Sequence, residues 1–241
     1  MPRLAQGRAD YLTSEEIARE ALRQFDEGAQ RPSLRQLASA LGVSPTAIYH
    51  HFATQAQIVE AAVDLVFAEA TDELFVLLPN PFDENIDPAE VLIMSGLATR
   101  RAFMRHYRIA PFMAAAPLAT EWLSTTLGFM AVIFERLGLR SEDAAAAFHT
   151  YASYVLGAVI FAATRNLANE ELHASPAGDM AAAASFTTAD LTPAQEYTQT
   201  RLALDYVMGV SVSDPQHDED LFALALRRLV NSFRTSGTAS I

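Results

Sequence analysis

SLRQLASALGVSPTAIYHHF, residues 33–52, sets two short apolar runs on either side of one glycine and ends in a tyrosine, two histidines and a phenylalanine. Leu34, Leu37, Ala38 and Leu41 recur at helical spacing and predict a helix with one buried face. Gly42 ends it, at a position where a left-handed backbone costs a side chain more than it costs glycine. Ser44 and Pro45 open the next helix, with proline at its favoured first position. Two short helices joined by a tight glycine turn form a helix-turn-helix. Val43 and Ile48 then fix the angle between the helices. Pro45, Thr46, Ala47, Tyr49 and His50 are predicted to face outward, small enough at the helix start to enter a major groove. Ser44 and the free N–H groups beside it suit a phosphate oxygen. Arg35 stands where its guanidinium can take the O6 and N7 edge of a guanine. His50 and His51 do not read as a metal pair. Adjacent helical residues point about 100° apart, whereas ligands on one face need a spacing of three or four.

The rest of the chain qualifies that reading. It has 241 residues and a net charge of −12, which at first argues against a polyanionic partner. Residues 1–55 hold six arginines (3, 8, 19, 23, 31 and 35) against six acids (10, 15, 16, 20, 26 and 27), so the negative charge lies entirely beyond them. Every basic side chain is an arginine; there is no lysine. A neutral, arginine-bearing head on an acidic body is compatible with local nucleic-acid binding. The absence of cysteine removes disulfides, thiolate metal sites and cysteine nucleophiles. The first twenty residues hold no apolar stretch of signal-peptide length and no run elsewhere reaches about 18 residues, so the expectation is a soluble, cytoplasmic protein without membrane association. The longest run, Tyr151 to Ala163, has 13 residues and reads as a buried helix.

Apolar spacing is helical almost throughout, and the fold class is all-α with about nine helices. A capping box, Thr13 with Glu16, opens the first helix, and Gly28 closes it. Thr54 caps a long fourth helix to Leu78, whose buried stripe is Ile58, Val59, Ala62, Val63, Val66, Phe67 and Ala70. Leu77 to Pro88 is a proline-rich break. Further helices are predicted over Ala89–Arg105, Leu118–Leu137, Glu142–Leu167, Ala194–Val210 and His217–Phe233, with a long connection from Arg165 to Pro193. The expected division is a head at 1–55, extended by the linking helix 54–78, and a larger body at 79–241.

RQLASALGVSPTAIYHHFATQAQIVEA, residues 35–61, resembles the DNA-binding head of TetR-family transcriptional regulators, and the likeness runs from about Leu12 to Ala70. It implies that Ser44 to His50 form the recognition helix, that Tyr49 contacts phosphate, and that His51 with Phe52 closes this helix against the fourth. It also implies that the start of the fourth helix touches the DNA backbone. There the sequence departs, because Gln55 stands where the family has lysine. More weakly, the body is similar to tetracycline-repressor-like C-terminal domains, in RRAFMRHYRIAPFMAAAPLATEW (100–122), YASYVLGAVIFA (151–162) and FALALRRLVNSF (222–233). The resemblance implies a homodimer on a palindromic double-stranded operator, repression relieved by a small-molecule effector, and no cofactor.

In the body, Phe103, Met104, Phe112, Met113, Trp122, Phe129, Met130 and Phe134 read either as core or as the wall of an apolar ligand cavity. His106, between Arg105 and Arg108, belongs with the cavity candidates. No His-x-x-x-His, Asp-x-Asp, glycine-rich phosphate loop or Gly-x-Ser-x-Gly elbow occurs, so an enzyme is not expected. A body that binds a protein partner remains the alternative to one that binds a ligand. A filled core beside an exposed apolar patch would favour the partner, and a hollow core the ligand.

Overall fold

A computed structural model describes residues 12–115, 121–174 and 215–236. The described residues form eight α-helices and one 3-10 helix. They are α1 (Ser14–Asp26), α2 (Leu34–Leu41), α3 (Pro45–Tyr49), α4 (Gln55–Leu77), α5 (Pro88–Arg105), the 3-10 helix Ala110–Ala115, α6 (Glu121–Arg136), α7 (Ser141–Ala174) and α8 (Pro215–Ser236). The helix expected over Ala194–Val210 lies outside the described residues. The connection expected from Arg165 begins later, because α7 continues to Ala174.

The caps follow the sequence. Thr13, Ser33 and Thr54 each complete a capping box with Glu16, Gln36 and Gln57 respectively. Gly42 adopts the left-handed conformation, φ 68°, that lets α2 turn sharply into α3. Asp87 caps α5 through the Ala89 N–H, with Pro88 in the first turn.

Two apolar cores hold the fold. The first gathers Ile17, Phe25, Leu37, Ile48, Ile58 and Val63 and runs on into Phe103, Ile109, Ala110 and Val159, so head and body share a continuous core. The second joins Leu92, Ile133, Phe134, Tyr151, Leu226 and Phe233 among α5, α6, α7 and α8. A Cβ on Gly96 would meet Leu226 Cδ2 at 2.6 Å, so glycine is what allows α5, α7 and α8 to cross there. Ion pairs reinforce the seating of α8. Buried Arg100 meets Asp218, which also pairs with Arg165 at 2.9 Å. Arg101 pairs with Glu219 at 2.7 Å, Arg227 with Glu90 at 3.1 Å, and Arg234 with Asp87.

Candidate nucleic-acid interface and cavity

On α3, Pro45, Thr46, Tyr49 and His50 are exposed, Tyr49 to 54%. Ala47 is a correction to the sequence reading. It is 8% exposed and packs into the first core beside Ile48, so its side chain offers nothing to an outside partner. In a helix of five residues, positions 45, 46, 49 and 50 share one face, and 47 and 48 take the other. Ser44 caps α3 by accepting the Ala47 N–H at 3.3 Å and is itself exposed. Arg35 is exposed on the first turn of α2 and has no ion pair among the described residues.

The two histidines differ as their spacing requires. His50 is exposed, whereas half-buried His51 lies 3.3 Å from Ser14 Oγ at the start of α1. Phe52 is buried in the head core. Gln55 is turned inward, donating from Nε2 to the Pro32 carbonyl just before α2. Its amide therefore ties the start of α4 to the segment just before α2.

The body is hollow. A cavity of about 550 Å³ lies among α4, α5, the 3-10 helix, α6 and α7. Met113, Phe129 and Met130 line it. Five other candidates do not, among them Phe134, which is buried in the second core. Phe103 is fully buried in the first core, edge-on to Phe67 with ring centres 4.8 Å apart. Met104 packs against that same core, and Phe112 lies against Phe25 at 5.2 Å. His106 sits at the head-body junction, with Nδ1 2.8 Å from Asp26 of α1 and Nε2 3.2 Å from Glu69 of α4. The side chain of Trp122 lies outside the described residues.

The sequence reading missed most of the polar wall: Asp64 and Thr71 on α4, Ser95 and Thr99 on α5, and Thr125 and Thr126 on α6. Spacings of four (95, 99) and seven (64, 71), which put each pair on one face of its helix, are the signal that could have shown it. Tyr151 donates to the Leu92 carbonyl at 2.8 Å, and burial pushes its phenol well above the ordinary tyrosine range. Phe82, from the loop before α5, closes edge-on against Phe129 at 5.4 Å. Arg136 holds that loop by donating to the carbonyls of Pro81, Asp83 and Ile86 at 2.7–2.9 Å.

A helix-turn-helix head joined by one long helix to a hollow helical body defines a class, the DNA-binding regulators. Residues 17–62 match the sequence model of the bacterial regulatory proteins of the tetR family. An HTH-type transcriptional regulator of Saccharopolyspora erythraea is 28% identical over 185 residues, covering 73% of this chain and 75% of its own. Two solved structures share the fold. One is a possible TetR family transcriptional regulator from Streptomyces coelicolor (TM-score 0.70, 18% identity, 93% of this chain and 100% of that one). The other is the TetR family protein ActR of the same species in complex with actinorhodin (TM-score 0.68, 18% identity, 95% of this chain and 99% of that one). Residues 17–62 therefore carry a DNA-binding head of the tetR type, on a body that shares the fold of solved members of that family.

Proposed function

We propose that the chain is a homodimeric repressor that reads a palindromic operator with α3 and lets go when a small apolar or amphipathic effector fills the cavity. Tyr49, His50, Pro45 and Thr46 supply the exposed face of the recognition helix. Ser44 and the N–H groups at its start take a phosphate oxygen, and Arg35 reads a guanine edge. His51 and Gln55 act from behind, fixing α3 and α4 against α1 and α2.

The observation that carries the effector reading is that α4 belongs to both sites. Its first turn is tied beneath the helix-turn-helix by Gln55, and Val63, Phe67 and Leu74 further along it line the cavity. A guest that prefers one setting of α4 shifts the head to that setting, and only this difference in affinity drives the shift. Through Asp26 and Glu69, His106 adds a second link between the end of α5 and both α1 and α4. The segment from Arg100 through the 3-10 helix thus moves with them. ActR, solved with actinorhodin bound, supports the reading, and an open cavity in place of a filled core favours a ligand over a protein partner.

Support for a dimer comes from α7. By length and composition it could cross a membrane, yet only 22% of its most apolar window is buried within the chain. Ser153, Gly157, Phe161, Thr164 and Ala168 form an outward row at helical spacing, with Phe161 68% exposed. A second copy packed on this row covers it and sets two recognition helices about one DNA turn, ~34 Å, apart.

Fluorescence anisotropy on a labelled palindrome from upstream of the gene, with a scrambled duplex as control, tests the DNA face. Arg35→Ala and Tyr49→Ala are each expected to weaken operator binding by about 1–3 kcal/mol. Unchanged binding in both variants would refute the assignment.

A further inference from the structure

Among the described residues that line the cavity, the exposed ones are Phe75 in the last turn of α4, Phe82 in the loop 78–87, and Thr125, Gly128 and Val132 on α6. The described lining residues on α5, the 3-10 helix and α7 are all buried or half-buried. A residue that lines a cavity and also meets solvent stands at its mouth, so the mouth opens between α6 and the end of α4 with its loop. Positions 125, 128 and 132 fall at spacings of three and four and form one rim. Gly128 notches that rim, since a Cβ built there meets nothing within 4 Å. Phe82 comes from the other rim and meets Phe129 of α6 edge-on, with ring centres 5.4 Å apart. The backbone that carries Phe82 is tied down. Asp83 donates its N–H to the Asn80 carbonyl at 3.1 Å, Ile86 to the Asp83 carbonyl at 3.0 Å, and Asn85 to the Asp83 carboxylate at 2.9 Å. Arg136, one turn beyond Val132 on α6, donates to the carbonyls of Pro81, Asp83 and Ile86. Val76 and Leu77, next to Phe75, are exposed as well, and apolar surface of this kind borders ligand-binding grooves.

We infer that guests enter and leave the cavity between the loop 78–87 and α6, with the Phe82 ring against Phe129 as the gate and Arg136 as the residue that positions it. This rests on the reading of the cavity as the effector site and adds the route by which that site fills. Because the loop backbone is held, the exposed phenyl ring of Phe82 is the part that moves, by rotation of its side chain. That rotation disturbs neither core, since Phe82 belongs to neither. A gate stands in the way of a guest going in and a guest coming out alike. Removing it lowers both barriers together, so it sets rates and leaves affinity nearly unchanged. Arg136 is no part of the described cavity wall and acts only through the carbonyls it holds.

Stopped-flow fluorescence on the full chain tests this with N-phenyl-1-naphthylamine, a neutral apolar probe that brightens on leaving water. Association is followed on mixing, and dissociation by chasing the bound probe with excess 4-phenylphenol. Phe82→Ala is expected to raise both rates by about tenfold while Kd stays within about threefold. Gly128→Phe fills the notch and is expected to slow both rates by a similar factor. Both positions are exposed and lie outside the two cores, so the variants keep the fold. Arg136→Ala is expected to quicken both rates, with no further gain when it is added to Phe82→Ala, since the two act through one ring. Additive effects in the double variant overturn the role given to Arg136. Unchanged rates in either Phe82→Ala or Gly128→Phe overturn the gate, as does a parent that binds neither compound. A change confined to dissociation makes Phe82 a wall contact and overturns the gate too. Operator release, followed by anisotropy, separates this inference from the proposed function. Unchanged rates with a probe that still releases DNA sink the entry route and keep the effector mechanism. Rates that shift as expected with DNA still held do the reverse.

Discussion

Gln55 shows how one residue can serve fold and function at once. Where the family resemblance implies a lysine, this chain has an amide that hydrogen-bonds the Pro32 carbonyl and so braces the start of α4 against the segment before α2. The head keeps a net charge of zero over residues 1–55, and the phosphate contact proposed for this position has no charged side chain to make it. Gln55→Lys is therefore expected to tighten operator binding and steepen its salt dependence, with the slope of log K against log salt growing by about 0.9. Anisotropy titrations across a salt series check this; an unchanged slope would mean that position 55 lies away from the phosphates. The exposed face of α3 was legible in the sequence except at Ala47. Small size was taken there as a sign of groove fit, whereas in a five-residue helix whose outward face is 45, 46, 49 and 50 it serves close packing.

At the scale of elements, caps and turns were legible because they depend on neighbours three or four residues away. Thr13, Ser33, Thr54 and Gly42 all behave as local chemistry dictates. Cavity walls depend on which helices meet, and spacing alone cannot supply that. Phe103 and Phe112 were as good candidates as Phe129 until α1 and α4 were seen to cover them. His106 looked like a pocket residue because arginines flank it, yet it faces carboxylates of two other helices. The cap of α5 offers a check at this scale. Burial raises the Asp87 carboxyl, but the Ala89 N–H and Arg234 outweigh it and hold the group below the ordinary aspartate range. A depressed value means that the stabilisation is present above the unfolded pKa and is lost as pH falls through the folded one. Asp87→Ala is expected to cost about 1 kcal/mol at neutral pH, mostly as the lost cap, since the exposed Arg234 pair contributes little. In urea unfolding the gap between variant and parent should close as pH drops below the ordinary aspartate value of 3.8. A gap that persists in acid would show that the carboxylate is not its source.

The whole molecule is a hollow body whose cavity-lining helix ends beneath a DNA-reading head, with a long apolar helix presented outward. That outward row makes a prediction about assembly. Phe161→Glu places a charge in the seam proposed on α7, and sedimentation is expected to show monomers. Operator affinity should fall by about tenfold or more, because a lone head reads only half a palindrome. A variant that remains dimeric would move the seam elsewhere. The direct test of the central claim, that cavity and operator share one conformational equilibrium, is a reciprocal titration. Operator affinity is measured with and without saturating 4-phenylphenol, and probe affinity with and without saturating operator. The account predicts that the probe weakens DNA binding by roughly 5- to 150-fold and that DNA weakens the probe by the same factor. A probe that saturates the cavity while operator affinity stays unchanged would contradict it.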